Sequence, residues 1–216
     1  MNIIEALNKY LKIDEIKRSG WIKRGIDNPE SVSSHSLSSA VILLCLLPDK
    51  TELNASDELY KDYDKDLTVF LVMIHDFGEI DIGDKIRGTK SAEDKRREYQ
   101  SVHTFLEAAK SGRDNVALFD KLDELWKDME SGNPQNINAK IAKEIDYIQG
   151  VHRYFIYCVD GRVKYTKESC LEWLNEVSDK KIRTREGKKI RDSLIFNNPS
   201  FTENDFLCKL LRSFKP

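Results

Sequence analysis

The chain has 216 residues, enough for one domain that buries a core without disulfide staples. Its 35 basic and 37 acidic residues leave a formal charge of −2, which argues against a polyanion-binding surface and so against nucleic acid as a partner. Cys45, Cys158, Cys170 and Cys208 show neither a CxxC pair nor zinc-finger spacing, and no stretch reaches the about 18 apolar residues of a membrane span. A cytoplasmic protein with reduced thiols and no membrane contact is the expectation, with Cys45 and Cys158 in the core.

Ile3, Ile4, Leu7, Tyr10 and Leu11 form an apolar stripe at helical spacing, and residues 33–47 form a second helix that Pro48 ends. Residues 48–65 are polar and read as a surface connection. The apolar run 66–79 predicts a central buried helix. Gly83 and Gly88 flank an irregular segment, after which Ser91 and Asp94 stand at capping-box spacing and open a helix to about 110. Phe119, Leu122, Leu125, Trp126 and Met129 mark a further helix, and residues 139–157 another. Weaker patterns occupy 168–178, 184–195 and 203–214. No alternating run suggests a sheet. The expected fold class is all-α with seven to nine helices, its core in residues 1–160 and a helical extension over 161–216 packed on the same domain.

His75 and Asp76 end the apolar run, where an unpaired charge is costly to bury. A divalent cation removes that cost, and His35 and Asp146 lie on two other predicted helices as further ligands. Imidazole mixed with carboxylate suits first-row divalent ions better than an all-oxygen calcium site. An open position on such an ion lowers the pKa of bound water and polarises a phosphoryl oxygen. Glu79, one predicted helical turn beyond His75, is the candidate base. Asp84 follows Gly83 outside regular helix and can reach the same cavity from its rim. Arg18 is placed to grip phosphate by a bidentate contact.

The segments "RSGWIKRGIDNPESVSSHS", "HDFGEIDIGD", "ELWKDME" and "AKIAKEID" resemble, in order and spacing, the HD-domain metal-dependent 5′-deoxynucleotidase family, which includes the bacterial YfbR protein and its eukaryotic relatives. The likeness covers about residues 3–157. It implies an α-helical HD-domain bundle with a metal site between core helices, and removal of phosphate from (deoxy)nucleoside 5′-monophosphates. It also implies a homodimer. By motif, His35, His75, Asp76 and Asp146 are the implied ligands of one divalent ion: Co²⁺, Mn²⁺, Mg²⁺ or Zn²⁺. Arg18 is the implied phosphate-orienting group, Trp21 shapes the substrate site, Glu79 positions water and Asp84 contacts the sugar. One departure is Asn136-Ile137-Asn138-Ala139, where relatives tend to carry Thr-Pro-Glu-Ala.

Several residues have plainer readings. Trp21 is as readily a packing residue as a substrate contact. Glu30 and Ser31 follow Pro29 and read as a helix entry. Arg96, Arg97 and Glu98 read as a solvated helix face, and Trp126 and Met129 as core. His103 is the only histidine between the His-Asp pair and Asp146, which favours one metal; it and His152 read as surface or locally bonded. Two alternatives remain. One keeps the metal but takes a triphosphate, pyrophosphate or cyclic nucleotide, against which no Lys/Arg series forms a recognisable polyphosphate cradle. The other is a non-catalytic metal- or nucleotide-binding module.

Overall fold

The computed structural model describes residues 1–53, 58–111 and 116–214. In chain order its helices are α1 (Ile3–Tyr10), α2 (Ser19–Lys23), α3 (Val32–Leu46), α4 (Lys65–Ile74), α5 (Glu79–Ile82), α6 (Ala92–Lys110), α7 (Val116–Glu130), α8 (Ile137–Val159), α9 (Lys167–Asn175), α10 (Arg185–Arg191), α11 (Pro199–Thr202) and α12 (Asp205–Ser213). Helix starts follow short polar side chains. Asn2, Ser31, Asp64, Ser91, Asn136, Thr166, Thr184, Asn198 and Asn204 each accept from a backbone N–H two or three residues on. Ser91 and Asp94 form the expected capping box. The surplus over nine helices comes from short segments such as α2, α5 and α11. No β-strand occurs among the described residues, where an isolated bridge pairs Lys17 with Ser31.

Helix α8 runs through the middle of the bundle, with buried residues on every side from Ile137 to Cys158. Helices α3, α4 and α7 pack on it, and α9, α10 and α11 also pack against it. Phe155, Leu174, Ile182, Ile190 and Phe201 are buried in the same apolar cluster as Leu43, Leu71 and Met129. The buried carboxylate of Glu144 ties α8 to the start of α10, accepting from the Arg183 and Thr184 N–H groups. Among the described residues no helix is long and apolar enough to cross a membrane.

Four sequence expectations need correction. The helix over 66–79 breaks at His75, because the His75 carbonyl accepts from the Trp126 indole N–H at 2.8 Å while the Glu79 N–H turns to the Asp76 carbonyl. Glu79 therefore opens α5, and α4 is not buried all round, since Phe70 and Met73 face outward. In the 48–65 connection Leu53, Tyr60 and Tyr63 enter the core, so it is more than a surface link; its residues 54–57 lie outside the described residues. Cys45 is exposed, whereas Cys158 is buried as expected.

Helix α3 has an inverted polarity. His35, Ser36, Ser39 and Ala40 face the interior beside Leu43, while Leu37, Val41 and Leu44 face outward. Small inward side chains let α3 approach α4 and α8 closely, which brings His35 to the junction of all three.

Close approach also decides Gly78. A β-carbon there would meet the Glu98 carbonyl oxygen at 2.6 Å and Glu98 Cγ at 2.4 Å, so α5 can lie on α6 only with glycine at this position. Gly78→Ala is expected to cost about 1–3 kcal/mol by overpacking, seen as a lower urea midpoint with an unchanged slope.

On the far side of α8, His152 is packed against the Phe201 ring and accepts a long hydrogen bond from Asn198. Burial, with the neighbouring Arg153 charge, pushes its pKa down to about 4. The unfolded chain then binds more protons between about pH 6.5 and 4, so this contribution is complete above pH 6.5 and is lost as pH falls through that window. His152→Asn should lose roughly 1–2 kcal/mol less than the parent between pH 7 and pH 5, measured by urea unfolding at both.

Candidate metal centre

Three helices meet at a cluster of ligand atoms. His35 on α3, His75 at the end of α4 and Asp146 on α8 each offer one such atom, all within 4.8 Å of one another. His35 Nε2 lies 3.2 Å from Asp146 Oδ1, and His75 Nε2 lies 3.2 Å from Asp76 Oδ2. Asp76 borders the cluster, with Oδ2 3.8 Å from His35 Nε2, while the same oxygen accepts from Arg18 Nη1 at 2.9 Å.

Hydrogen bonds behind the histidines orient them. His75 Nδ1 donates to the Val72 carbonyl and His35 Nδ1 to Gln149 Oε1. Each Nε2 therefore presents a lone pair to the cluster. Both Nε2 atoms are buried without a hydrogen-bond partner. A divalent cation bonded to two imidazoles and two carboxylates satisfies them, so the donor set fits the group that sequence reading expects there.

Sequence reading missed what stands behind His35. Gln149 Nε2 donates to Glu30 Oε2, and the Glu30 carboxylate also accepts from Trp21 Nε1 at 3.0 Å and pairs with Arg153 Nε at 2.9 Å. Glu30 is thus the anchor of a Glu30–Gln149–His35 chain. Ser31 beside it does cap α3, as its position suggested. No local signal distinguishes the two, because Gln149 and Arg153, which make Glu30 part of the centre, lie more than a hundred residues away.

The charges at the centre constrain one another. Burial disfavours ionised Asp76, but His75, Arg18 and His35 outweigh it and hold its carboxyl far below the ordinary carboxylate range. Burial likewise opposes a charged His75, and Asp76 and Asp146 overcome it, leaving that imidazole above its usual pKa. Glu79 goes the other way. It is 2 % exposed, one of its oxygens has no partner, and burial together with Asp76 and Asp84 raises its pKa well above the usual value. Lys90 Nζ stands 3.5 Å from Glu79 and 2.5 Å from Glu98. Glu98 is buried in that contact, against the expectation of a solvated face.

Arg18 is set by backbone pairing and side-chain charge. Its N–H donates to the Glu30 carbonyl, the Val32 N–H returns to Ile16, and its Nε lies 3.4 Å from Asp84 Oδ1. Asp84 also accepts from the Ser19 N–H at 2.6 Å, so it holds the start of α2 as well as Arg18. Gly83 allows this, since its φ of 71° and ψ of 164° lie where only glycine is comfortable, and that turn aims Asp84 back at α2.

Two cavities open beside the centre. One of about 440 Å³ is lined by Arg18, Trp21, Asp84, Asp146, Tyr147 and Trp173 among others. Trp21 is mostly buried, stacked 5.0 Å from Trp173, so it packs and lines the cavity at once. The other, about 290 Å³, is lined by Asp76, Glu79, Lys90, Lys95 and Lys143 as well as Arg18, Asp84 and Asp146. His103 stands apart, facing Asp123 at 3.3 Å between α6 and α7.

Comparison with known proteins agrees with this geometry. The family model described as HD domain matches residues 11–184. A protein of Dictyostelium discoideum named 5′-deoxynucleotidase HDDC2 is 28 % identical over 158 residues, covering 72 % of this chain and 77 % of its own. The 5′-deoxynucleotidase YGK1 of Saccharomyces cerevisiae is 25 % identical over 207 residues, covering 94 % and 84 %. Among solved structures, a conserved hypothetical protein from Pyrococcus furiosus superposes with TM-score 0.60 at 22 % identity, over 88 % of this chain and 98 % of that one. A predicted metal-dependent phosphohydrolase from Magnetospirillum magnetotacticum gives TM-score 0.57 at 17 % identity, over 97 % and 93 %. These two likenesses concern the fold. With the family match spanning most of the chain and a His-His-Asp cluster where three of its helices meet, this protein belongs to the HD domain family.

Proposed function

We propose that this chain is a metal-dependent phosphohydrolase that removes the 5′-phosphate from (deoxy)nucleoside 5′-monophosphates. The observation that carries the reading is a pair of buried, unpartnered histidine Nε2 atoms beside two carboxylates, with Glu79 within the same walls and an aromatic-lined cavity adjoining. The relatives named as 5′-deoxynucleotidases support it.

His35, His75, Asp76 and Asp146 hold one divalent ion. When bound, it lowers the pKa of water and neutralises charge on phosphoryl oxygens. Arg18, fully protonated between Asp76 and Asp84, binds the phosphate and favours the charge that develops on it. Glu79, buried within the same walls with one carboxylate oxygen unpartnered, accepts the proton of the attacking water. The nucleoside lies in the larger cavity along Trp21 and Trp173, with Asp84 at the sugar.

A second reading draws on the smaller cavity, which gathers Lys85, Lys90 and Lys95 with the distant Lys143 and could hold a longer phosphate chain. Lys90 and Lys143 are already paired with Glu98 and Glu130, however, which favours the monophosphate.

We also propose a homodimer in the cytoplasm. The outward Leu37 of α3, Leu7 of α1, Leu11 just past its end and Met73 of α4 line an apolar groove of about 370 Å³, a surface that a second copy of the chain would cover. Leu37→Glu should shift the protein from dimer to monomer in sedimentation velocity; a monomeric parent would sink the assignment.

The activity is tested by phosphate release from a panel of deoxy- and ribonucleoside 5′-monophosphates, after chelation and then with Co²⁺, Mn²⁺, Mg²⁺ or Zn²⁺ restored. Release should require metal, and both His75→Ala and Glu79→Ala should reduce it by about 10²-fold or more. Retained rates in both variants would defeat the mechanism, and pyrophosphate as the inorganic product would select the longer substrate.

A further inference from the structure

Beyond the motif ending at Asp84, Arg87 lies in the irregular segment between α5 and α6. Its Nη2 donates to Asp146 Oδ2 at 3.0 Å and its Nη1 to Glu176 Oε2 at 3.2 Å, just past the end of α9. The guanidinium lies over the Tyr147 ring, 3.9 Å from its centroid. Asp146 therefore faces the histidines with one oxygen and Arg87 with the other. Arg18 pairs with Asp76, there on the same oxygen that faces the histidines, so one guanidinium contacts each carboxylate of the centre but only that of Arg87 takes the oxygen turned away from them. Both arginines line both cavities.

The two differ in freedom. Arg18 is four-fifths buried between Asp76 and Asp84, whereas the Arg87 side chain is 47 % exposed. Each acid that Arg87 touches also has another cation beside it. Glu176 is bonded to Lys181 at 2.6 Å, and Asp146 has Lys143 at 3.8 Å. Departure of Arg87 would leave neither carboxylate without a cation, so the energetic barrier to its movement is low.

We propose that Arg87 is a second phosphate-binding residue, which exchanges Glu176 for oxygens of the substrate's 5′-phosphate, with Glu176 as its holding partner in the free enzyme. This rests on the phosphohydrolase reading above and gives the C-terminal segment a part in substrate binding. A guanidinium that can offer two N–H groups in one plane is suited to phosphate, and stacking on Tyr147 fixes that plane.

The test is calorimetric titration of inorganic phosphate into the metal-loaded parent, R87A, R87K and E176Q proteins, with metal content measured on each and KM and kcat for a deoxynucleoside monophosphate alongside. R87A should weaken phosphate binding and raise KM by about tenfold, with a smaller change in kcat. R87K should fall between, and E176Q should bind phosphate at least as tightly as the parent. Unchanged phosphate affinity in R87A would overturn the assignment, as would loss of metal from R87A or an equal defect in E176Q, either of which makes Arg87 a strut for Asp146. The binding series uses no turnover: a parent that binds phosphate but cleaves no nucleotide would refute the phosphohydrolase reading and leave the role of Arg87 to be decided by the titrations.

Discussion

The structure is organised around a concentration of buried charge where α3, α4 and α8 meet. Two carboxylates and two imidazoles occupy a space that in an ordinary bundle would hold leucine and valine. Desolvating such groups costs several kcal/mol each unless partners repay it. The partners here come from every direction: Arg18 beside Asp76, Arg87 and Lys143 beside Asp146, Gln149 behind His35 and the Val72 carbonyl behind His75. What these partners leave unsatisfied is the pair of inward Nε2 lone pairs, and that residue of unmet valence is the chemical signature of a cation site.

The break after α4 follows from the same demand. A continuous helix would carry Glu79 along the α4 face and use the His75 carbonyl in its own ladder. The Trp126 indole takes that carbonyl instead, and the chain turns through His75–Gly78 by shorter-range backbone bonds before α5 begins. Gly78 lets the turn rest on Glu98, and Lys90 joins the carboxylates of Glu79 and Glu98 across α5 and α6. Burial of Glu79, with Asp76 and Asp84 nearby, consequently raises its pKa.

The segment after Tyr157 completes one wall of the larger cavity. Trp173 stacks between Trp21 and Tyr154, so the aromatic surface beside the centre is shared between the part of the sequence that carries the motifs and the part that does not. Glu144, buried two residues before Asp146 on another face of α8, fixes the approach of α10 through Thr184. Packing of the C-terminal helices and alignment of Asp146 are thereby two consequences of one helix with a different task on each face.

By itself the sequence determined the helical class, most helix boundaries and which histidines and aspartates come together. Those features are local: caps at Ser31 and Ser91, apolar periodicity, and histidine and aspartate at positions where a buried helix should have neither. Only the tertiary structure decided what depends on residues far apart in the chain. Glu30 reads as a helix entry until Gln149 and Arg153 converge on it, and Glu98 as a solvated face until Lys90 covers it. The exposure of Cys45 and the outward leucines of α3 are likewise unreadable locally, because a helix apolar on all sides gives no periodicity to say which side faces in. Arg87 lies outside every motif, and its place between Asp146 and Glu176 is a product of how α8 and α9 pack. Helix formation is set by neighbours within a few residues, whereas burial and ion pairing are set by which surfaces meet.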